Sequence, residues 1–262
     1  MLHSTLPVLS ATSPAGTAYV LLPPHDGPAP TLFLFAWAGA DTLMQEPYCL
    51  LGRHLHAQGW NVVSLDLPCH GADCRPEEPK EIVGWAHRTA TGEDFVAPFQ
   101  AQVADVLAHL LATGRADPER IAAAGTSRGG YLAAQAAASC PQIRAVAGFG
   151  PVTDLRALTE FQGQDENPLL HRLALAQQVE ALADRALWLI IGNHDTRVGT
   201  EQAIAFARGV TQAAVQRDLA PLVTLHVLAT PGHASFPAWH AEAAAWLGEA
   251  LAADDKNALS SS

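Results

Sequence analysis

The sequence predicts an α/β fold, a single domain in which a mostly parallel central sheet carries helices on both faces. Three observations predict it. Short runs of β-branched and apolar residues alternate with longer helical stretches along the whole chain. Several of the short runs are apolar almost throughout, the pattern of strands covered on both faces. Strand, helix, strand in repetition gives parallel strands joined by crossovers, and no repeat or low-complexity block interrupts it. At 262 residues the chain is long enough for one large domain spanning residues 1–262.

In chain order, Ala18–Leu22 and Thr31–Ala36 read as strands, and Pro47–Gln58 as the first helix. Asn61–Leu65 is the next strand. Phe95–Thr113 is helical because Phe99, Val103, Val106, Leu107 and Leu110 recur at a spacing that puts them on one face. Asp117-Pro118-Glu119 makes a turn into the strand Arg120–Ala124, and Gly129–Ser139 is an alanine-rich helix. Strands Arg144–Phe149, Ala186–Ile191 and Leu222–Leu228 follow, with helices at Glu201–Asp218 and Ala238–Ala252. Two segments break the alternation: a long loop, Pro68–Asp94, and a lid candidate, Val152–Arg185. Both follow the C-terminal ends of strands, where open α/β sheets bind ligands, so both are expected over an active site.

Composition narrows the function classes. A formal charge of −11 repels a phosphate backbone or an anionic membrane on average, which argues against nucleic-acid and membrane partners. The four cysteines, Cys49, Cys69, Cys74 and Cys140, fit no standard zinc spacing and read as reduced structural thiols, with no metal. Met1 to Pro14 has neither the basic nor the apolar region of a secretory signal, and no apolar run spans a bilayer, so a cytoplasmic protein is expected. The polar tail from Asp254 to Ser262 is expected to fray.

The chemistry centres on Gly125-Thr126-Ser127-Arg128-Gly129, a G-x-S-x-G between an apolar strand and a helix. A serine on so tight a turn needs very small neighbours two positions either side, because strand and helix nearly touch there. The turn lifts the hydroxyl above the sheet edge and aims the first helical N–H groups at a developing oxyanion. A serine nucleophile needs a base, and the base an orienting acid. Asp195 lies just past the strand ending at Ile191, and His233 just past the strand ending at Leu228. Asp154 is the rival acid, otherwise a helix N-cap. For the oxyanion, the backbone N–H of Arg128 is one donor and that of Trp37 the other, with Ala38 as the alternative. Trp37 could also wall the acyl pocket.

Together these residues resemble the α/β-hydrolase superfamily, in particular its dienelactone-hydrolase-like and prolyl-oligopeptidase-like esterases. The resemblance runs from about Leu32 to Leu247 and rests on Gly125–Gly130, on Gly192-Asn193-His194-Asp195-Thr196-Arg197-Val198, and on Gly232-His233. Asp66-Leu67-Pro68-Cys69-His70-Gly71 also looks like the family's Asp-x-Pro-x-His-Gly turn, which is structural and gives His70 no catalytic role. The resemblance implies an α/β-hydrolase fold with a small lid insertion, and acyl transfer to water through an acyl-enzyme without a cofactor. Ala36-Trp37 departs from the family's His-Gly at the oxyanion strand. Serine stands where dienelactone hydrolases have cysteine, and the chain has no room for the propeller of the large peptidases.

The function expected is therefore hydrolysis of carboxylic esters with small or compact acyl groups, the partner being a small-molecule ester. Alternatives are amide or carbon–carbon bond hydrolysis on the same triad, or a non-catalytic binding protein on a hydrolase scaffold. Neither long segment offers the broad apolar surface of an interfacial lipase, since one carries Gln162-Gly163-Gln164-Asp165-Glu166-Asn167 and the other is charged. Within the second, Trp85 and Arg88 are expected to contact substrate, Arg88 as a carboxylate clamp. A homo-oligomer stays open.

Overall fold

The computed structural model describes residues 6–260, with side chains through residue 252. Its strands are β1 (Leu9–Thr12), β2 (Ala18–Leu21), β3 (Ala29–Phe35), β4 (Asn61–Ser64), β5 (Ala116–Thr126), β6 (Ile143–Phe149), β7 (Ala186–Gly192) and β8 (Val223–Leu228). They form one sheet in the order β1-β2-β4-β3-β5-β6-β7-β8. The pairs β1–β2 and β2–β4 are antiparallel, and every other pair is parallel. The helices are α1 (Gly39–Met44), α2 (Leu50–His56), α3 (Glu81–Ala90), α4 (Val96–Ala112), α5 (Arg128–Ser139), α6 (Pro168–Leu173), α7 (Thr200–Gln216) and α8 (His240–Ser260). None is long and apolar enough to cross a membrane among the described residues.

Alternating strand residues divide the core into two layers. Phe33, Phe35, Ile121, Ala123, Val146, Leu187 and Leu189 face one way, against α3, α4, α5 and α7. Leu32, Leu34, Ala122, Ala124, Ala147, Trp188 and Ile190 face the other, against α2 and α8. Successive side chains of a strand point to opposite faces, so an all-apolar run is what a strand covered on both sides requires. The small residues of β5 and α5 let that strand and helix pack closely at the centre, where Ala122, Ala123, Ala124, Ala133 and Ala136 are wholly buried.

The predicted turn at Asp117-Pro118-Glu119 is present as an interruption inside β5. Pairing with β3 jumps from Ala29↔Ala116 to Thr31↔Ile121, so residues 117–120 bulge out of the ladder. The Asp117 carboxylate accepts the Glu119 N–H at 3.0 Å within that bulge. The strand β1 went unpredicted because it is an exposed edge, with no buried face to leave an apolar signature. At the other end, the backbone of α8 continues as helix to Ser260, beyond the predicted end at Ala252 and through most of the tail expected to fray; Ser261 and Ser262 lie outside the described residues.

Both long segments are packed walls. Val152–Arg185 holds short 3-10 turns and α6, and buries Leu155, Leu158, Phe161, Leu170, Leu175 and Leu182 to 1% exposure or less. At about 2 kcal/mol per side chain, burial of these six contributes roughly 12 kcal/mol to holding the folded segment. Pro68–Asp94 contains α3, a helix where the sequence predicts a loop. Its Trp85 is fully buried, stacks on Phe95 at 4.6 Å and donates its indole N–H to Pro68 O at 2.6 Å. Gly84 lets the helix fit, since a Cβ there would lie 2.3 Å from Pro79 O and 2.7 Å from Cys69 Sγ.

Candidate active site

Ser127 occupies the turn from β5 into α5 with φ 54° and ψ −114°, a left-handed backbone that a serine adopts only under constraint. The constraint is on both sides. Ser127 N–H donates to Phe149 O at 2.8 Å, and Ser127 O accepts from Val152 N at 3.1 Å. A Cβ on Gly125 would lie 2.3 Å from the Gly129 carbonyl carbon, and one on Gly129 would lie 1.9 Å from Phe35 O. The two glycines of G-x-S-x-G are thus demanded by the close approach of helix and strand. Of the five described non-glycine residues with positive φ, four lie at or beside this site: Cys69, Glu81, Ser127 and Phe236.

Asp195 and His233 come together from the turns after β7 and β8. His233 Nδ1 lies 2.7 Å from Asp195 Oδ2, and the carboxylate side chain is fully buried. Oδ1 accepts the N–H groups of Arg197 at 3.0 Å and Val198 at 3.2 Å. Burial alone pushes the Asp195 pKa up. The hydrogen bond and charge of His233, with the two backbone donors, outweigh it and hold the carboxyl below its ordinary range. An ionised partner at Nδ1 fixes the proton there and leaves Nε2 free to accept. Gly150, at φ 51°, lets β6 end against the imidazole, since a Cβ there would lie 3.1 Å from His233 Cε1.

Ser127 and His233 line one pocket of about 290 Å³, together with Trp37, Tyr48, Ile82, Arg128 and Arg197. Among the described residues no hydrogen bond joins Ser127 Oγ to His233; what unites them is the pocket. Asp154, the rival acid, is engaged elsewhere. It caps the turn at Leu155 and pairs with Arg156, Nη2 to Oδ2 at 2.6 Å. A larger cleft of about 610 Å³ lies at the opposite end of the sheet, by Ala186, Val223 and Trp246, and no serine, cysteine or histidine lines it. Among the described residues no cluster of three His, Cys, Asp or Glu side chains gathers to hold a metal.

Three sequence expectations need correction. The N–H of Trp37 donates to Thr42 Oγ1 at 2.9 Å, so that donor is taken up inside the first turn of α1. Trp37 instead offers its indole ring, over which the Arg128 guanidinium lies 4.2 Å from the centroid. Trp85 is buried in the core behind the pocket. Arg88 is 3% exposed and held by Asp73, Glu78 and Glu93, so it clamps its own loop and reaches no ligand. Arg128, by contrast, keeps its backbone N–H at the first position of α5, where no intrahelical acceptor exists.

The sequence reading missed the arginine side chains that do line the pocket, Arg128 and Arg197. Arg197 is bound by both oxygens of Glu160, at 2.7 and 2.8 Å. His70 has the structural role expected of its turn: Nδ1 lies 2.8 Å from Pro68 O and Nε2 accepts from Arg128 Nη1 at 2.9 Å. Burial, reinforced by the Arg128 charge, pushes its pKa down against the Pro68 hydrogen bond. Asp66 ties the same turn to the strand end, accepting Gly39 N–H and Ala72 N–H at 2.7 Å each.

A mostly parallel sheet of this order, with a strained serine at its central strand–helix turn and an acid and imidazole delivered after β7 and β8, defines the α/β-hydrolase fold. The profile of the prolyl oligopeptidase family matches residues 87–254, and the chain belongs to that family of hydrolases. The structure is similar to that of TT1662 from Thermus thermophilus, with TM-score 0.71 and 18% identity over 94% of this chain and 98% of that one. It is also similar to a cold-adapted esterase from an Arctic intertidal metagenomic library (TM-score 0.64, 19% identity, 93% of each chain). A puromycin-hydrolyzing peptidase of Mycobacterium tuberculosis matches with TM-score 0.66 and 15% identity, over 94% of this chain but 39% of its own. In sequence, the hydrolyase poxO of Penicillium oxalicum is 28% identical over 138 residues, 53% of this chain and 30% of that protein.

Proposed function

We propose that the protein is a serine esterase that cleaves carboxylic esters of small or compact acyl groups. Ser127 Oγ attacks the ester carbonyl as His233 Nε2 takes its proton; Asp195 holds the imidazole in that tautomer and stabilises the imidazolium. The N–H of Arg128, at the start of α5, donates to the oxyanion. Collapse expels the alcohol with the proton from His233, and water repeats the sequence on the acyl-enzyme. The observation that carries this reading is the 2.7 Å contact of His233 Nδ1 with a fully buried carboxylate, opening onto the pocket that Ser127 lines. The compact-acyl preference rests on pocket size: about 290 Å³ stands at the low end of ligand sites, which run from roughly 300 to 1,000 Å³. A similar fold in an esterase of matching extent supports the ester reading, without bearing on acyl size. Four free thiols suit a reducing, cytoplasmic setting.

The test is covalent labelling by a fluorophosphonate, read by intact mass. Wild type gains one adduct and Ser127→Ala none; equal labelling of both removes the nucleophile assignment. A second reading, peptide or amide cleavage on the same residues, is favoured by membership of a family named for a peptidase. Comparing p-nitrophenyl acetate with the matched p-nitroanilide separates the two.

A further inference from the structure

We propose that the substrate carries a second, anionic group, a carboxylate, and that the side chain of Arg128 selects it. The inference rests on Ser127 as the nucleophile and names the class of ester it meets.

Three arginines near the site are balanced in different ways. Arg88 has three carboxylates around it, at 2.7, 2.9 and 3.7 Å. Arg197 has Glu160 on both oxygens. Arg128 has one carboxylate oxygen, Glu81 Oε2 at 3.1 Å, from a side chain that is 51% exposed. The Arg128 side chain is itself only 14% exposed. Its other partners are neutral: the Nε2 of His70 and the face of Trp37.

Every hydrogen bond it makes among the described residues falls on Nη1, so Nε and Nη2 have no protein acceptor. These donors belong to a side chain that lines the pocket and is anchored one residue from the nucleophile. The charged side chains lining that pocket are Arg128 and Arg197, with no carboxylate among its lining residues. A half-buried guanidinium keeps these donors open at the pocket, and a planar carboxylate fills such a fork with two parallel hydrogen bonds. Burial pushes the Arg128 pKa down against the hydrogen bond and charge of Glu81, with the nearby Arg197 charge adding to the effect. In a protein of net charge −11 an electropositive cavity is a local arrangement against the overall field.

The neutral state of His70 serves the same arrangement. Pro68 O can only accept, so the proton sits on Nδ1 and Nε2 is an acceptor for Arg128 Nη1. The imidazole therefore orients the guanidinium without neutralising it. His70 is a positioning residue.

The experiment measures kcat/KM for matched ester pairs. p-Nitrophenyl hemisuccinate against p-nitrophenyl butyrate puts the carboxylate on the acyl half; 4-acetoxybenzoate against phenyl acetate puts it on the leaving half. Wild type should favour the anionic member of one pair by about tenfold or more, the scale of a charge-assisted bidentate contact. Arg128→Gln should reduce that ratio about 10- to 100-fold, and Arg128→Lys should retain part of it. Reading the ratio cancels any shared loss from a disturbed elbow. Glu81→Gln, which removes the competing carboxylate, should raise the ratio. No anionic preference in either pair, or a preference that Arg128→Gln leaves intact, overturns the inference. If no ester of either pair turns over, the esterase reading fails, and calorimetric titration with monomethyl succinate against methyl butyrate decides the anion site instead. Heat that appears only with the succinate and is lost in Arg128→Gln supports it; its absence overturns it.

Discussion

Acid should destabilise this protein through His240, and the size of the effect follows from its surroundings. His240 opens α8, is 1% exposed, and stacks on Phe149 at 4.1 Å with the rings 6° from parallel. Its Nε2 donates to Ser235 O at 3.2 Å, while Nδ1 is buried with no partner among the described residues. A second proton would put charge on that bare nitrogen, at a helix N-terminus that already disfavours cations. Burial, only partly opposed by the Ser235 bond and aided by the nearby His54 charge, pushes the pKa from 6.5 to about 4. The folded state thus binds fewer protons than the unfolded state between these values. The contribution is whole above pH 6.5 and is lost as pH falls to 4. At 1.36 kcal/mol per pH unit the loss is about 3 kcal/mol. Urea unfolding of wild type and His240→Phe across pH 4 to 7 measures it. The stability difference between the two proteins should shift by about 3 kcal/mol in favour of the phenylalanine variant at the acid end. Parallel stability curves would refute the reasoning, because only the titration of His240 separates the pair.

Other outcomes follow from the same geometry. Asp195→Asn should lower kcat about a thousandfold or more by favouring the wrong imidazole tautomer, whereas Asp154→Asn, whose partner is Arg156, should change it little; kcat on p-nitrophenyl acetate reads both. Gly129→Ala should abolish labelling of Ser127 by fluorophosphonate, since its Cβ cannot coexist with Phe35 O. Arg88→Ala should lower the urea midpoint by removing the buried guanidinium that ties Asp73 to Glu78, while Arg75 still pairs with Glu78 and Glu93, with the KM for anionic esters unchanged; urea titration and steady-state kinetics separate the two effects. Across p-nitrophenyl esters from acetate to palmitate, kcat/KM should peak at short chains.

The central strands β3, β4, β6 and β7 were legible because burial on both faces writes an apolar run that length and turns then delimit. The turn that carries Ser127 was legible because steric demand leaves glycine at fixed offsets. The helix α3 was not read, although Ile82, Trp85, Ala86 and Thr89 fall on one buried face at helical spacing. Its interior Gly84 and the charged residues around it resemble a loop, and only the contact with Pro79 and Cys69 explains the glycine. Arg88 is the expected anion contact, and Arg128 only a backbone donor, because the sequence does not reveal which carboxylates fold back onto a given guanidinium. Asp73 lies 15 residues from Arg88 and Glu78 lies 10 away, yet both pair with it.

The strained turn at Ser127 sets a conflict between durability and use. At φ 54° and ψ −114° a glycine would sit without penalty, whereas the serine costs of order 1–3 kcal/mol held in place by Phe149, Val152 and the helix beyond. Replacing Ser127 by glycine should therefore make the protein more robust to heat while removing its hydroxyl. Screening for thermal tolerance alone would discard a hydroxyl that lines the pocket. A campaign to harden this scaffold has to score turnover beside melting, or it will converge on a sturdier and inert protein.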